Sequence, residues 1–107
     1  MTNICLVLTT CGSDATARAM AQDLVDCGLA ASVSLQPVHT YFRFDGQTLE
    51  ETEVQLLVLT TIERYGEIEE RILRLHTYEV PDVVMIHADA CSMAASTWIS
   101  SSTRPKS

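Results

Sequence analysis

The apolar residues of this chain fall into stretches that alternate between extended and helical period. From Ile4 to Thr10 both parities are apolar, which predicts a strand buried on both faces that ends at Gly12. Ser13 then suits an N-cap, with Asp14 in the first turn and Ala17, Met20, Ala21, Leu24 and Val25 as the buried stripe of a helix. Gly28 closes that helix, and Arg18, Gln22, Asp23 and Asp26 form its solvated side. A second extended segment runs from Leu29 to Phe44. Its apolar parity changes at Pro37, with Ala31, Val33 and Leu35 before it and Val38, Phe42 and Phe44 after it, which predicts a β-bulge or bend there. Asp45-Gly46 predicts a two-residue hairpin turn into a third strand, Glu51 to Thr61. Val54, Leu56 and Val58 make one face of that strand, yet Leu57 and Leu59 on the other are equally apolar.

A second helix follows, with Thr61 as its expected cap and Tyr65, Ile68, Ile72 and Leu75 as its stripe. Glu67/Arg71 and Glu70/Arg74 stand at i,i+4 spacing on it, and it ends near His76. Val80 is extended because a proline follows it, and Asp82 to His87 is a fourth strand, again apolar on both parities. A short third helix, Met93 to Ser100, capped by Ser92, is expected to bury Trp98 with Ala94 or Ala95, and the tail beyond Thr103 to fray.

The order β-α-β-β-α-β is that of a split βαβ unit, so the fold class is α+β, a ferredoxin-like sandwich with a long hairpin and a short C-terminal helix. The chain is one domain over 1–107, with 103–107 as tail. Right-handed crossovers put both long helices on one face of the sheet. The other face then carries Leu57 and Leu59 without a cover, a larger apolar patch than the roughly 300–600 Å² usual on a soluble monomer. A homo-oligomer is expected, since one short helix is too small a lid.

Composition narrows the function. A chain of 107 residues, 47% hydrophobic and 20% charged, folds around one core and leaves no room for a separate cofactor domain. Its formal net charge of -7 and the lack of any Lys/Arg cluster argue against nucleic acid or an anionic membrane as partners. Cys5, Cys11, Cys27 and Cys91 match no metal or disulfide framework, which fits reduced thiols in the cytoplasm. The apolar run from Ile4 to Leu8 is too short for a signal-peptide core or a membrane span. There is no nucleophile elbow, Gly-rich phosphate loop or HExxH, so an enzyme is not expected.

Several segments together resemble one family. They are Leu29-Ala30-Ala31-Ser32-Val33-Ser34, the hairpin Tyr41-Phe42-Arg43-Phe44-Asp45-Gly46, the stretch Leu75-His76-Thr77-Tyr78-Glu79-Val80-Pro81-Asp82, and Trp98-Ile99 with Ser102-Thr103-Arg104. In that order they are similar to the CutA divalent-cation tolerance family, the His-x-Tyr-Glu-Val-Pro run being the most specific part. The resemblance implies a compact homotrimer of ferredoxin-like subunits, PII-like in architecture, with hairpins reaching neighbouring subunits. It also implies a role in tolerance of copper and other divalent transition-metal ions. This chain departs from the family pattern at Ser32, where cysteine is usual, at Leu59, where a basic residue is usual, at Thr77 for proline and at Phe44 for tryptophan.

Under that resemblance Cys11, in Thr10-Cys11-Gly12-Ser13-Asp14, and His76 are the candidate metal ligands, with Glu79 as a carboxylate donor. Sulfur and imidazole together favour Cu or Zn over Mg or Ca, and two or three such donors predict weak binding. A buried thiol and an ordinary loop histidine explain the same two residues without a metal. Tyr78 and Arg43 are candidates for a ligand cleft, the alternative being a PII-like signalling or small-ligand module. His39 and His87 are read as packing or surface residues and not as metal ligands.

Overall fold

Apolar alternation on both faces places Ile4–Cys11 at the middle of the sheet as β1. Next come α1 (Asp14–Asp26), β2 (Ser32–Phe44), β3 (Gln47–Thr61), a single 3-10 turn (Ile62–Arg64), α2 (Tyr65–Leu75), β4 (Val83–His87) and α3 (Met93–Ser102). The computed structural model describes residues 2–103, so the expected fraying of the tail lies largely outside the described residues. The strand order is β2-β3-β1-β4 and each neighbouring pair is antiparallel, which is the ferredoxin-like arrangement the element order predicts.

Local chemistry sets the boundaries. The Ser13 side chain accepts a hydrogen bond from the Thr16 N–H, and Gly28 ends α1 at φ 75°. The hairpin turns through Asp45 at φ 53° and Gly46 at φ 77°, the left-handed pair that a two-residue type I′ loop needs. Thr61 does not cap α2: its side chain bonds nothing there, and the chain enters α2 through the 3-10 turn instead. The Ser92 side chain accepts from Ala95 N–H and caps α3 as expected.

The bulge expected at Pro37 is absent. The β2–β3 ladder runs in unbroken register from Ser32↔Leu59 to Phe44↔Gln47, with Pro37 opposite Val54. The change of apolar parity has another cause. Before Pro37, Val33 and Leu35 lie on the side of the sheet that α1 covers and pack on the core; beyond it the hairpin outruns the helices, and apolar residues move to the opposite face. The molecule is accordingly elongated, 44 × 27 × 21 Å, with a radius of gyration of 14.5 Å. A compact chain of this length measures about 13 Å.

The core lies between the sheet and the two long helices: Cys5, Val7, Cys11, Ala17, Met20, Leu24, Leu56, Val58, Ile68 and Ile72 pack together there. On the opposite face α3 packs against β1 and β3, where Ile4, Thr61 and Ile99 are buried. Trp98, expected inside, is instead 49% exposed, and Ile99 is the buried residue of α3. Val25 and Leu75, placed in the helix stripes by their spacing, are exposed as well. Arg71 does not pair with Glu67. It crosses to α1, where Nε donates to Asp23 at 2.7 Å and Nη2 to Cys27 Sγ at 2.8 Å, while Glu67 accepts from Arg64. Arg74 and Glu70 form the expected pair at 2.7 Å.

Candidate functional site

Three parts of the chain meet where the hairpin leaves the body of the sheet: the end of β1, the outer half of the β2–β3 hairpin, and the loop 76–82 between α2 and β4. His76 fixes the loop. Its Nε2 lies 2.7 Å from the Thr10 carbonyl and its Nδ1 is 3.0 Å from the Tyr78 backbone N–H. Nδ1 must accept, so the ring is neutral with its proton on Nε2, donating to Thr10. Asp82 anchors the other end of the loop by accepting from the Thr10 hydroxyl at 2.8 Å.

Tyr78 then reaches across the sheet, its hydroxyl donating to Glu53 Oε2 at 2.5 Å, and its ring rests near Gly12. A Cβ at Gly12 would stand 3.3 Å from the Tyr78 oxygen, so glycine there gives the phenol room. Burial, and then the adjacent Glu53, push the Tyr78 phenol well above its ordinary pKa. It stays a hydrogen-bond donor across the physiological range.

Between loop and hairpin lies a cleft of about 580 Å³. Phe42, Phe44 and Tyr78 supply aromatic surface, and Val80 closes one side. Glu51, Glu53, Glu79 and Asp82 supply carboxyls, and among the described residues no Lys or Arg lines it. Glu53 is only 7% exposed, although it is an acid. A second groove, of about 630 Å³, lies on the helix side between α1 and β2 and carries both Asp14 and Arg18, which are bonded to each other.

The expected ligands are dispersed over this region. Cys11 is fully buried on the helix side, its thiol directed at the Ser13 carbonyl at 3.5 Å. Burial first, and the charges of Glu53 and Asp14 after it, hold that thiol above its ordinary pKa despite the Ser13 contact. It is therefore a thiol and not the thiolate a soft metal takes. Both nitrogens of His76 are engaged, and Glu79 is exposed in the cleft. Among the described residues no three His, Cys, Asp or Glu side chains are grouped to hold a metal ion. Of the cleft pair, Tyr78 is in place, whereas Arg43 is not among the lining residues and donates to the Gly46 carbonyl at the hairpin tip. Its alternation on β2 explains this: Phe42 and Phe44 face the cleft, so Arg43 faces away. His87 lies against the Thr2 carbonyl and His39 is exposed, as expected of packing and surface residues.

Glu53 was not singled out by the sequence. The signal was present: it shares the parity of Leu57 and Leu59, so a carboxyl lies on the strand face otherwise filled with leucine.

Fold and cleft together define a small ferredoxin-like domain with an acidic, aromatic-walled cleft at one end of its sheet. Residues 5–102 match the family model of the CutA1 divalent ion tolerance protein, and the chain belongs to that family. A divalent-cation tolerance protein CutA of Thermus thermophilus is 38% identical over 82 residues, 76% of this chain and 80% of that protein. The crystal structure of CutA from Xylella fastidiosa superposes with a TM-score of 0.93 at 25% identity, over 96% of this chain and 100% of that one. A structure from Archaeoglobus fulgidus, described as a periplasmic divalent cation tolerance protein CutA, has the same fold, with a TM-score of 0.92 at 24% identity over 94% of this chain and 99% of that one.

Proposed function

We propose that this protein is a binding protein of divalent-cation tolerance, acting as a homotrimer, PII-like in build, that takes up copper or zinc weakly. Membership of the CutA1 family carries this reading. The uncovered face supports self-association: Val84 and Ile86 are 51% and 47% exposed beside Leu6, Leu8, Leu57 and Leu59 on the face left open by α1 and α2. A trimer covers such a face and brings donors from neighbouring subunits together, which one chain does not do with Cys11, His76 and Glu79.

Weak binding follows from the cost of freeing those donors. The imidazole of His76 must give up one of its two hydrogen bonds, and Cys11 must lose a proton in a buried position. Glu79 is exposed and needs no such release. A catalytic reading is weaker, because Tyr78 and His76, the natural acid and base of this region, are both committed to structural hydrogen bonds. The four cysteines Cys5, Cys11, Cys27 and Cys91 are all free, which suits the reducing cytoplasm. No helix among the described residues is long and apolar enough to cross a membrane.

Calorimetric titration of the purified protein with Cu(II) and Zn(II) tests the metal assignment. Weak binding that falls in His76→Ala and Glu79→Gln supports it, with Cys11→Ala altering copper more than zinc. Isotherms identical in all three variants and the parent would remove these residues as ligands.

A further inference from the structure

We infer that Arg43 of one chain seats in the cleft between the 76–82 loop and the hairpin of a second copy, where it meets Glu51 and Glu79, so that three hairpins overlap back to front around the axis of the trimer. The inference rests on the trimer proposed above and names the contact that orders it.

Charge is left unbalanced at two places on the hairpin. Among the described residues Arg18, Arg64, Arg71 and Arg74 each pair with a carboxylate of their own chain, whereas Arg43 is exposed and donates only to the Gly46 carbonyl. The cleft has the opposite deficit. Glu51 and Glu79 stand exposed among its lining residues with no ion pair among the described residues, and no Lys or Arg lines it there. One chain does not close the pair on itself, because strand alternation separates the two charges. Glu51 lies opposite Thr40 and shares the face of Phe42, while Arg43 lies opposite Thr48 on the other face.

The aromatic residues of the hairpin point the same way. Phe44 is 64% exposed on the cleft face and Tyr41 is 68% exposed on the back, so each face of the projecting hairpin presents a bare ring. Such a segment suits a place between two other surfaces, with one copy in front of it and one behind. A three-fold ring requires that arrangement: each of its contacts is heterologous, joining one patch to a different and complementary patch of the next subunit. The cleft and the back of the hairpin form such a pair, opposite in charge. Phe42 and Phe44 add aromatic faces in the cleft, on which a planar guanidinium stacks.

Sedimentation equilibrium of the full chain over a dilution series tests the contact. The parent is expected to hold three chain masses. Arg43→Glu and Glu51→Arg should each raise the concentration at which the assembly dissociates by about tenfold or more, because like charges then meet across the contact. Arg43→Glu combined with Glu51→Arg restores opposite charges and should recover most of that loss. Arg74→Glu on α2 changes the net charge by the same amount as Arg43→Glu and is expected to leave the assembly intact. Should a reversed variant fail to fold by circular dichroism, Arg43→Gln replaces it: added salt should loosen the parent, and the variant should lose part of that dependence. Single reversals that assemble as tightly as the parent, or a double variant no tighter than the singles, would overturn the assignment. A trimer indifferent to these charges sinks this contact and leaves the trimer standing, whereas a parent of single-chain mass throughout the series sinks both.

Discussion

Single side chains in this protein are arranged more by what lies across the fold than by their neighbours in sequence. Arg71 illustrates it. The guanidinium beside Asp23 holds that carboxyl below the usual carboxylate range, with partial burial acting in the opposite sense. Both members are roughly a quarter to a third exposed, at 26% and 30%, so screening keeps the contribution of the pair small despite its bidentate geometry. Because the folded pKa of Asp23 is depressed, this contribution is fully present above the unfolded value near pH 4 and is lost as the pH falls through the folded value. Denaturation of the parent and Asp23→Asn should therefore differ at neutral pH, the parent being the more stable, and converge as the pH falls through the depressed value of Asp23. A gap that widened on acidification would contradict the pairing. The sequence placed Asp23 on a solvated face, for a pair joining α1 to α2 has no signature in local spacing. The pairing of Glu53 with Tyr78 was hidden for the same reason, the two being 25 residues apart and joined only by the folding of the loop over the sheet.

At the level of elements, caps and turns were the best indicators of where the chain changes structure, because their chemistry is contained in a few consecutive residues. Ser13, Gly28, Asp45-Gly46 and Ser92 all act as their positions predict. Thr61 did not, since an intervening 3-10 turn removed its hydroxyl from the start of α2. The two positions give a paired expectation. Ser13→Ala should lower stability by about 1 kcal/mol through the lost bond to Thr16 N–H, whereas Thr61→Ala loses no cap and is felt only through packing. Urea denaturation of Ser13→Ala and its rescue by Ser13→Asp measure the cap: failure of aspartate to restore stability would show that the serine acts otherwise. Helix stripes were legible at their centres, Ile68 and Ile72, and misleading at their ends, Val25 and Leu75, which are exposed.

For the molecule as a whole, two helices cover one face of the sheet, α3 covers part of the other, and apolar surface remains on β1, β3 and β4. In the proposed trimer Ile86→Glu should break the assembly, since a charge placed there would be buried unpaired against a neighbouring subunit. Sedimentation equilibrium at micromolar concentration is expected to give three chain masses for the parent and a smaller species for the variant. A parent of single-chain mass would end the proposal. The sequence by itself determined the order of strands and helices, the hairpin turn, two of the helix caps and the family, because period and turn chemistry are properties of adjacent residues. Only the tertiary structure decided that the parity change at Pro37 marks where the helices stop and not a bulge. It alone decided, too, that the dispersed residues Thr10, Phe42, Glu53 and Tyr78 enclose one cleft. Such enclosure depends on which faces meet in space, and a face has no address along the chain.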